Sequence, residues 1–119
     1  MTTGSLEILR SALAAGQLTP RVMVEQALAH ANSNAARNVY LAVDRQFALR
    51  EADDVAQRFS GVTKPLLFGL PVSLKDCFDL AGFVTTCGSR FYAARKASAS
   101  EDSAVAARLR EILKLRKGT

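Results

Sequence analysis

Apolar residues recur at helical intervals along much of the chain, and the first such run lies near its beginning. Ser5 is a residue type that caps helix N-termini, and Gly16 is the type that follows helix C-termini. Between them, Leu6, Leu9 and Leu13 are spaced to share one face. The pattern predicts a first helix that begins after Ser5, ends at Gly16 and docks through its leucines.

Two further helices are predicted in the first half of the chain. Thr19-Pro20 predicts the start of the second helix, because proline is favoured at the first helical position. Asn32-Ser-Asn34 predicts a loop after the second helix. Asp44 is placed to cap the N-terminus of the third helix, and Ser60-Gly61 is placed to end that helix. The apolar faces comprise Val24, Ala27, Leu28 and Ala31 in the second helix, and Ala48, Ala52, Val55, Ala56 and Phe59 in the third.

Extended segments are predicted at three places. Val39–Val43 is a short apolar stretch, and Leu70–Lys75 is typical of a strand whose Pro71 sits near the start, where a missing ladder donor is tolerated. Ala81-Gly82 indicates a turn before a further apolar run at residues 83–86. These residues favour a strand pair, or a strand followed by an irregular loop.

A last helix is predicted by its charge order, which suits the helix dipole, and by an apolar side. Its acidic start is Glu101 and Asp102, its basic end is Lys114, Arg116 and Lys117 before Gly118, and its apolar side is Val105, Leu109, Ile112 and Leu113. The expected fold class is α/β, with N-terminal helices and a short strand segment. With 119 residues, of which 49% are hydrophobic, we expect one modest domain over residues 1–119.

Composition narrows the function classes. No apolar run is long enough to span a bilayer and no secretory signal is visible, so a cytoplasmic protein is expected. Cys77 and Cys87 lie ten positions apart without a metal-binding pattern and are interpreted as free thiols at packed positions. His30, the single histidine, is interpreted as a residue near the end of a helix. No cofactor or metal is expected.

One ionisable residue, Lys75, lies inside the apolar central run. From the pattern alone, a solvated lysine is the simpler interpretation. The wider stretch resembles the lysine-bearing segment of the amidase signature family: it reads Gly69-Leu-Pro-Val-Ser-Leu-Lys75-Asp76, then Asp79-Leu-Ala-Gly82, then Thr85-Thr-Cys-Gly-Ser89. Cys77 stands where the family usually has Asn, and Cys87 where Ala is common. The resemblance continues to Arg110 and then ends.

The resemblance implies both a reaction and a gap. Family members cleave carboxamide C–N bonds through a Ser, cis-Ser and Lys triad, in which Lys75 corresponds to the lysine. The serines of the family lie on a later glycine- and serine-rich segment, and no Gly-Gly-Ser-Ser-Gly run occurs in these 119 residues. The implied protein is an N-terminal portion of an amidase-like hydrolase, an incomplete part of the amidase signature fold. It carries only the lysine and is expected to be inactive alone; a complete site would take a small-molecule amide.

Other functions stay open at this point. The first alternative is a non-catalytic binding module whose basic last helix contacts an acidic partner or nucleic acid, and the net charge of +5 is compatible with it. Much of the excess charge forms a late cluster without interleaved aromatics, which favours a solvated helix face over nucleic-acid binding: Arg108, Arg110, Lys114, Arg116 and Lys117. A self-contained Ser73/Lys75 hydrolase is disfavoured because the sequence displays no oxyanion site. A Schiff-base enzyme using Lys75 is also weaker. Membrane binding is not expected, whereas self-association through an exposed strand edge is.

Overall fold

The computed structural model describes residues 5–114, with side chains described as far as residue 111. Within this range the chain divides into two compact units, one formed by residues 5–71 with 113–114 and the other by residues 72–112. The expectation of one domain over residues 1–119 stays a prediction. No helix in the described range is both long and apolar enough to cross a membrane.

Helix α1 spans Leu6–Ala14 and has the predicted boundaries. The Ser5 hydroxyl accepts a hydrogen bond from the backbone N–H of Ile8 at 3.3 Å, which satisfies one of the free donors of the first turn. At the other end Gly16 has a φ of 78°, a left-handed conformation that suits glycine. The next N–H, of Gln17, donates to the carbonyl of Ala12 at 2.9 Å and closes the helix.

Helices α2 (Pro20–Ala31) and α3 (Arg45–Arg58) also begin where the sequence predicts. The Thr19 hydroxyl accepts from the N–H of Val22 at 3.2 Å, and the Asp44 carboxylate accepts from the N–H of Phe47 at 2.9 Å. A 3-10 turn, Asn34–Ala36, lies in the predicted loop between them. Local capping signals therefore set all three N-termini of this unit.

The core of the first unit is formed by Leu13 of α1, Met23 of α2, and Phe59 and Phe68 beyond α3. The two phenylalanine rings meet edge to face, with 6.2 Å between their centroids. Gly69 follows directly, with a φ of 74°, and a Cβ there would lie 3.0 Å from the side chains of both Leu13 and Pro20. Glycine is required at this position both by backbone conformation and by space.

Parts of the predicted apolar faces are solvent-exposed. Leu6 was expected to share a buried face with Leu13 but is 61% exposed, and Ala27 of α2 is also exposed. The buried face of α2 contains Met23 and Leu28, and Ala27 lies outside it. The helical period was predicted correctly, whereas the centre of the apolar face of α2 was not.

The second unit contains α4 (Arg90–Arg95) and, as far as residue 112, α5 (Ala104–Lys114), joined and preceded by turns. The turn predicted at Ala81-Gly82 is formed, with the N–H of Phe83 donating to the carbonyl of Leu80 at 3.0 Å. Gly82 has a φ of 89°, as the third residue of a type II turn requires. Helix α4 was not predicted.

The strand predictions are wrong for the described part of the chain. Residues 5–114 contain no β-strand, and neither Val39–Val43 nor Leu70–Lys75 enters a ladder. A strand is stabilised by hydrogen bonds to a neighbouring strand, and here the N–H of Leu70 is used in a turn, with the carbonyl of Leu67 as acceptor at 3.3 Å. The described chain is therefore helical, and the α/β expectation is corrected accordingly.

We expect Leu13→Ala to lower the free energy of unfolding by about 2–5 kcal/mol, because it removes a fully buried side chain and leaves a cavity. Leu13 is 1% exposed, whereas Leu6 on the same helix is 61% exposed and provides the matched control. Urea unfolding followed by circular dichroism measures both variants. Equal midpoints for Leu13→Ala and Leu6→Ala would contradict this description of the core.

Candidate active site

Lys75 lies at an exposed position in the second unit. Its main chain, and not its amine, makes hydrogen bonds with neighbouring residues. Its carbonyl accepts hydrogen bonds from the N–H groups of Cys77 at 2.8 Å and Phe78 at 3.2 Å. Among the described residues, the Lys75 amine has no hydrogen-bond or ion-pair partner. Ser73 is also exposed, and no hydrogen bond joins it to Lys75 in this part of the chain.

The next residue, Asp76, organises the segment through its carboxylate. The carboxylate accepts hydrogen bonds from the Thr86 hydroxyl, from the Thr86 N–H at 2.9 Å and from the Gly88 N–H at 3.4 Å. The backbone carbonyl of Asp76 accepts from the Cys87 N–H at 2.9 Å. We refer to Asp76, Thr86, Cys87 and Gly88 together as the Asp76 clasp.

The backbone of the clasp adopts a conformation suited to an anion. Cys87 has a φ of 52° and Gly88 a φ of 74°, so two successive residues are left-handed. In this turn the N–H groups of Thr86 and Gly88 donate to the Asp76 carboxylate while that of Cys87 donates to the Asp76 carbonyl, and an ionised carboxylate is a strong acceptor for such groups. Cys87 is unusual among non-glycine residues in accepting this conformation.

Hydrogen bonding in the clasp lowers the pKa of Asp76 below its ordinary value. The Thr86 hydroxyl is the largest cause and the Thr86 N–H the next, while burial acts in the opposite direction. A depressed carboxyl pKa stabilises the fold at pH values above the ordinary pKa of about 3.9. That stabilisation is lost as the pH falls through the lower pKa of the folded state.

Asp79 makes a second link between the two sides of this segment. Its carboxylate accepts from the hydroxyl of the buried Thr85 at 2.5 Å, and its carbonyl accepts from the N–H of Ser103 at 2.8 Å. Ser103 in turn accepts from the N–H of Ala106 at 3.2 Å and so caps α5. The sequence placed the start of this helix at Glu101 and Asp102 instead.

Asp102 forms a third link. Its carboxylate accepts from the N–H of Ala81 at 2.9 Å and from the guanidinium of Arg110 at 2.6 Å. The pKa of Asp102 is lowered, chiefly by the Ala81 N–H and then, against the opposing effect of burial, by Arg110. Asp76, Asp79 and Asp102 thus all bind groups of their own unit, and none of them contacts the Lys75 amine.

The remaining candidate residues are placed as follows. Cys77 and Cys87 are free thiols, as expected, but both are exposed rather than packed. His30 lies in the last turn of α2, where it was expected. No group of three or more potential metal ligands occurs among the described residues.

Two arginines of the basic last helix are already paired within it or beside it. Arg108 contacts Glu111 at 3.2 Å, and Arg110 contacts Asp102 at 2.6 Å. Arg116 and Lys117, with the side chain of Lys114, lie outside the described residues. The positive charges of Arg108 and Arg110, which suggested an anionic partner, are therefore partly balanced by neighbouring carboxylates.

Residues 22–112 match the family model described as Amidase. This match covers most of α2, all of α3, the Lys75 segment and nearly all of α5. The chain belongs to the amidase family, as the resemblance of its Lys75 segment had indicated.

Its relatives include components of glutamyl-tRNA(Gln) amidotransferases. The chain is 38% identical over 88 residues to the A subunit of the mitochondrial glutamyl-tRNA(Gln) amidotransferase of Xenopus tropicalis, and the match covers 72% of this chain and 17% of the relative. It is 38% identical over 91 residues to the A subunit of the glutamyl-tRNA(Gln) amidotransferase of Chlorobium phaeobacteroides, covering 76% and 19% respectively. The chain thus spans less than a fifth of these curated relatives.

A solved structure shares the fold over nearly the whole chain. It comes from a study of a vestigial protein complex that reveals the evolutionary origins of an s-triazine catabolic enzyme, in an inhibitor-bound state. The TM-score is 0.81 at 27% sequence identity, and the similarity covers 96% of this chain and 25% of the solved chain. The described fragment is therefore part of an amidase fold.

We expect Thr86→Val to raise the pKa of Asp76 toward the ordinary value of about 3.9, because it removes the hydroxyl that contributes most to the shift. Thr86→Ser keeps a hydroxyl and is the matched control. An NMR titration of the Asp76 carboxyl carbon measures the pKa in each variant. An unshifted pKa in Thr86→Val, relative to the unsubstituted chain, would contradict the clasp.

Proposed function

We propose that this chain supplies the lysine base of a carboxamide-cleaving site of the Ser, cis-Ser and Lys type. Lys75 is the proposed base, and both serines come from polypeptide outside these 119 residues. The chain alone is then catalytically silent. The proposal commits to cleavage of a carboxamide C–N bond and not to a particular amide.

The observation that carries the proposal is the contrast between Lys75 and its acidic neighbours. Within the family match at residues 22–112, the carboxylates of Asp76 and Asp79 are engaged by threonines of the same segment. Lys75 is presented beside them on an ordered main chain, with no partner for its amine among the described residues. A fixed backbone with a free amine is the arrangement that a base completed by other polypeptide requires.

The chemistry explains why completion is needed. A serine hydroxyl becomes an effective nucleophile when a neighbouring base removes its proton. Lysine serves as that base only in its neutral form, which an apolar, water-excluded surrounding favours. Lys75 is exposed in this chain, so we expect the exclusion of water to come from the polypeptide that also brings the serines. A carboxamide substrate would then bind at the completed site.

The alternative of a basic binding module draws less support from the fold. Arg108 and Arg110 are each paired with a carboxylate, which reduces the positive charge available to an anionic partner. Nucleic-acid binding by α5 stays a weaker proposal. Binding that falls steeply with added salt would favour it.

Self-association also stays a prediction, with a changed basis. The strand edge expected at Leu70–Lys75 is not formed, but Val39 and Leu41 are 61% and 71% exposed, and Tyr40 and Val43 are exposed with them. An apolar run of this kind favours association with another surface. Sedimentation velocity of the chain and of Leu41→Lys would check this, with a shift toward monomer expected in the variant and an identical distribution counting against it.

The role of Lys75 is tested most sharply in a chimera. Residues 22–112 of this chain would replace the matching segment of one of the amidotransferase relatives, which supplies the remainder of its own fold. We expect the chimera to retain the carboxamide C–N cleavage proposed here, and we expect Lys75→Met to lower kcat by about 10²–10⁴-fold, the usual contribution of a general base. Lys96→Met, at another exposed lysine, is the matched control and should retain activity.

Two results would contradict the proposal. Equal activity of the Lys75→Met and Lys96→Met chimeras would remove Lys75 from the chemistry. Amide turnover by the purified 119-residue chain, abolished by Lys75→Met, would show that the serines need not come from elsewhere. Circular dichroism of each variant separates loss of chemistry from loss of folding.

A further inference from the structure

The two cysteines of the chain are brought to the same place by the Asp76 clasp. Cys77 and Cys87 are ten positions apart in sequence, and both are free and exposed. The Cys87 N–H donates at 2.9 Å to the carbonyl of Asp76. That carbonyl belongs to the peptide group whose nitrogen is that of Cys77. One hydrogen bond and one peptide group therefore separate the two cysteine backbones.

Backbone dimensions convert this connection into a distance. A peptide carbonyl oxygen and the following nitrogen are bonded to the same carbon, and each cysteine Cα lies about 1.46 Å from its own nitrogen. Together with the hydrogen bond, these lengths place the two Cα atoms on the order of 4–7 Å apart. Disulfides bridge Cα atoms that are about 4.4–6.8 Å apart, so the pair lies within or close to the range for bonding.

The positions of both cysteines are also fixed by neighbouring bonds. The Cys77 N–H donates to the Lys75 carbonyl at 2.8 Å, and the residues on either side of Cys87 bind the Asp76 carboxylate through their N–H groups. These bonds hold the two ends of the intervening loop together. A pair held in this way meets at a higher effective concentration than the same pair on a flexible chain.

We propose that Cys77 and Cys87 form a reversible dithiol site that exchanges with small-molecule disulfides. The thiolate of one cysteine attacks an oxidised low-molecular-weight thiol, forms a mixed disulfide and expels one small thiol. The second cysteine thiolate then attacks the protein sulfur of that mixed disulfide and expels the second small thiol. Two electrons pass from the cysteine pair to the small-molecule disulfide, and an excess of the reduced small thiol reverses both steps.

Closure of this pair would act on the segment next to Lys75. The resulting ring contains the eleven residues 77–87, including Asp79 and the buried Thr85, and it begins two positions after Lys75. The crosslink joins the same two backbone segments that the Asp76 clasp joins by hydrogen bonds. Oxidation of the pair would therefore crosslink the chain directly after the Lys75 segment. The proposal does not depend on a catalytic role for Lys75.

The test compares the folded and unfolded chain in buffers of oxidised and reduced glutathione. After acid quenching, intact mass separates the closed pair, which has lost two hydrogen atoms, from chains that carry glutathione. We expect the effective concentration of the two thiols in native buffer to exceed that in urea by about tenfold or more. An equal or lower value in native buffer, or native chain carrying only glutathione adducts, would overturn the proposal.

Two sets of variants control the measurement. Cys77→Ser and Cys87→Ser should each accept one glutathione and show no loss of two hydrogens. Thr86→Val weakens the clasp and should lower the native effective concentration toward the value in urea, whereas Thr86→Ser should retain it. A native value in Thr86→Val equal to that of the unsubstituted chain would contradict the assignment of the pairing to the clasp.

Discussion

The second unit depends on one carboxylate, that of Asp76. It accepts hydrogen bonds from Thr86 and Gly88, and the backbone carbonyl of Asp76 accepts one from Cys87, so the Lys75 segment is connected to residues ten to twelve positions after Asp76. Asp79 and Asp102 repeat the principle by binding Thr85, Ala81 and Arg110. Hydrogen bonds to ionised groups are stronger than those between neutral groups, which suits them to hold turns together.

The two units are stabilised by different forces. The first has a compact apolar core of Leu13, Met23, Phe59 and Phe68, and its helices carry their own capping residues. Among the described residues of the second unit, only Thr85 and Ala106 are buried. A unit with so little buried apolar surface relies on its polar links. Loss of one hydrogen-bond partner of a carboxylate should therefore destabilise the second unit more than a comparable loss would destabilise the first unit.

Sequence reasoning succeeded where the signal was local. Ser5, Thr19-Pro20 and Asp44 each mark a helix start by a bond that reaches three residues along the chain, and all three starts are observed. The strand at Leu70–Lys75 was predicted from alternation and does not form in the described chain, because alternation does not supply the neighbouring strand that a ladder needs. Helix α4 is short and lacks a side-chain cap bond at Ser89, so its start carries no such signal.

The candidate site was predicted only in part. Lys75 was singled out because it is an ionisable residue in an apolar run and matches a family segment, and its catalytic role stays a proposal. The partnership of Asp76 with Thr86 was missed, since a bond between residues ten apart leaves no periodic trace. The sequence does contain both parts of the clasp, namely Asp76 beside Lys75 and the Thr-Thr-Cys-Gly stretch. Because the N–H groups of a left-handed turn bind anions, the combination of an acidic residue with such a turn is the signal that could have predicted their contact.

Amide hydrogen exchange at Thr86 tests most directly whether this carboxylate holds the segment. The N–H of Thr86 donates to Asp76 at 2.9 Å, and Asp76→Asn replaces the charged acceptor with a neutral one of similar size. We expect exchange at Thr86 to be slow in the unsubstituted chain and about tenfold or more faster in Asp76→Asn, with exchange in α2 unchanged. The same Thr86 exchange rate in both proteins would contradict it.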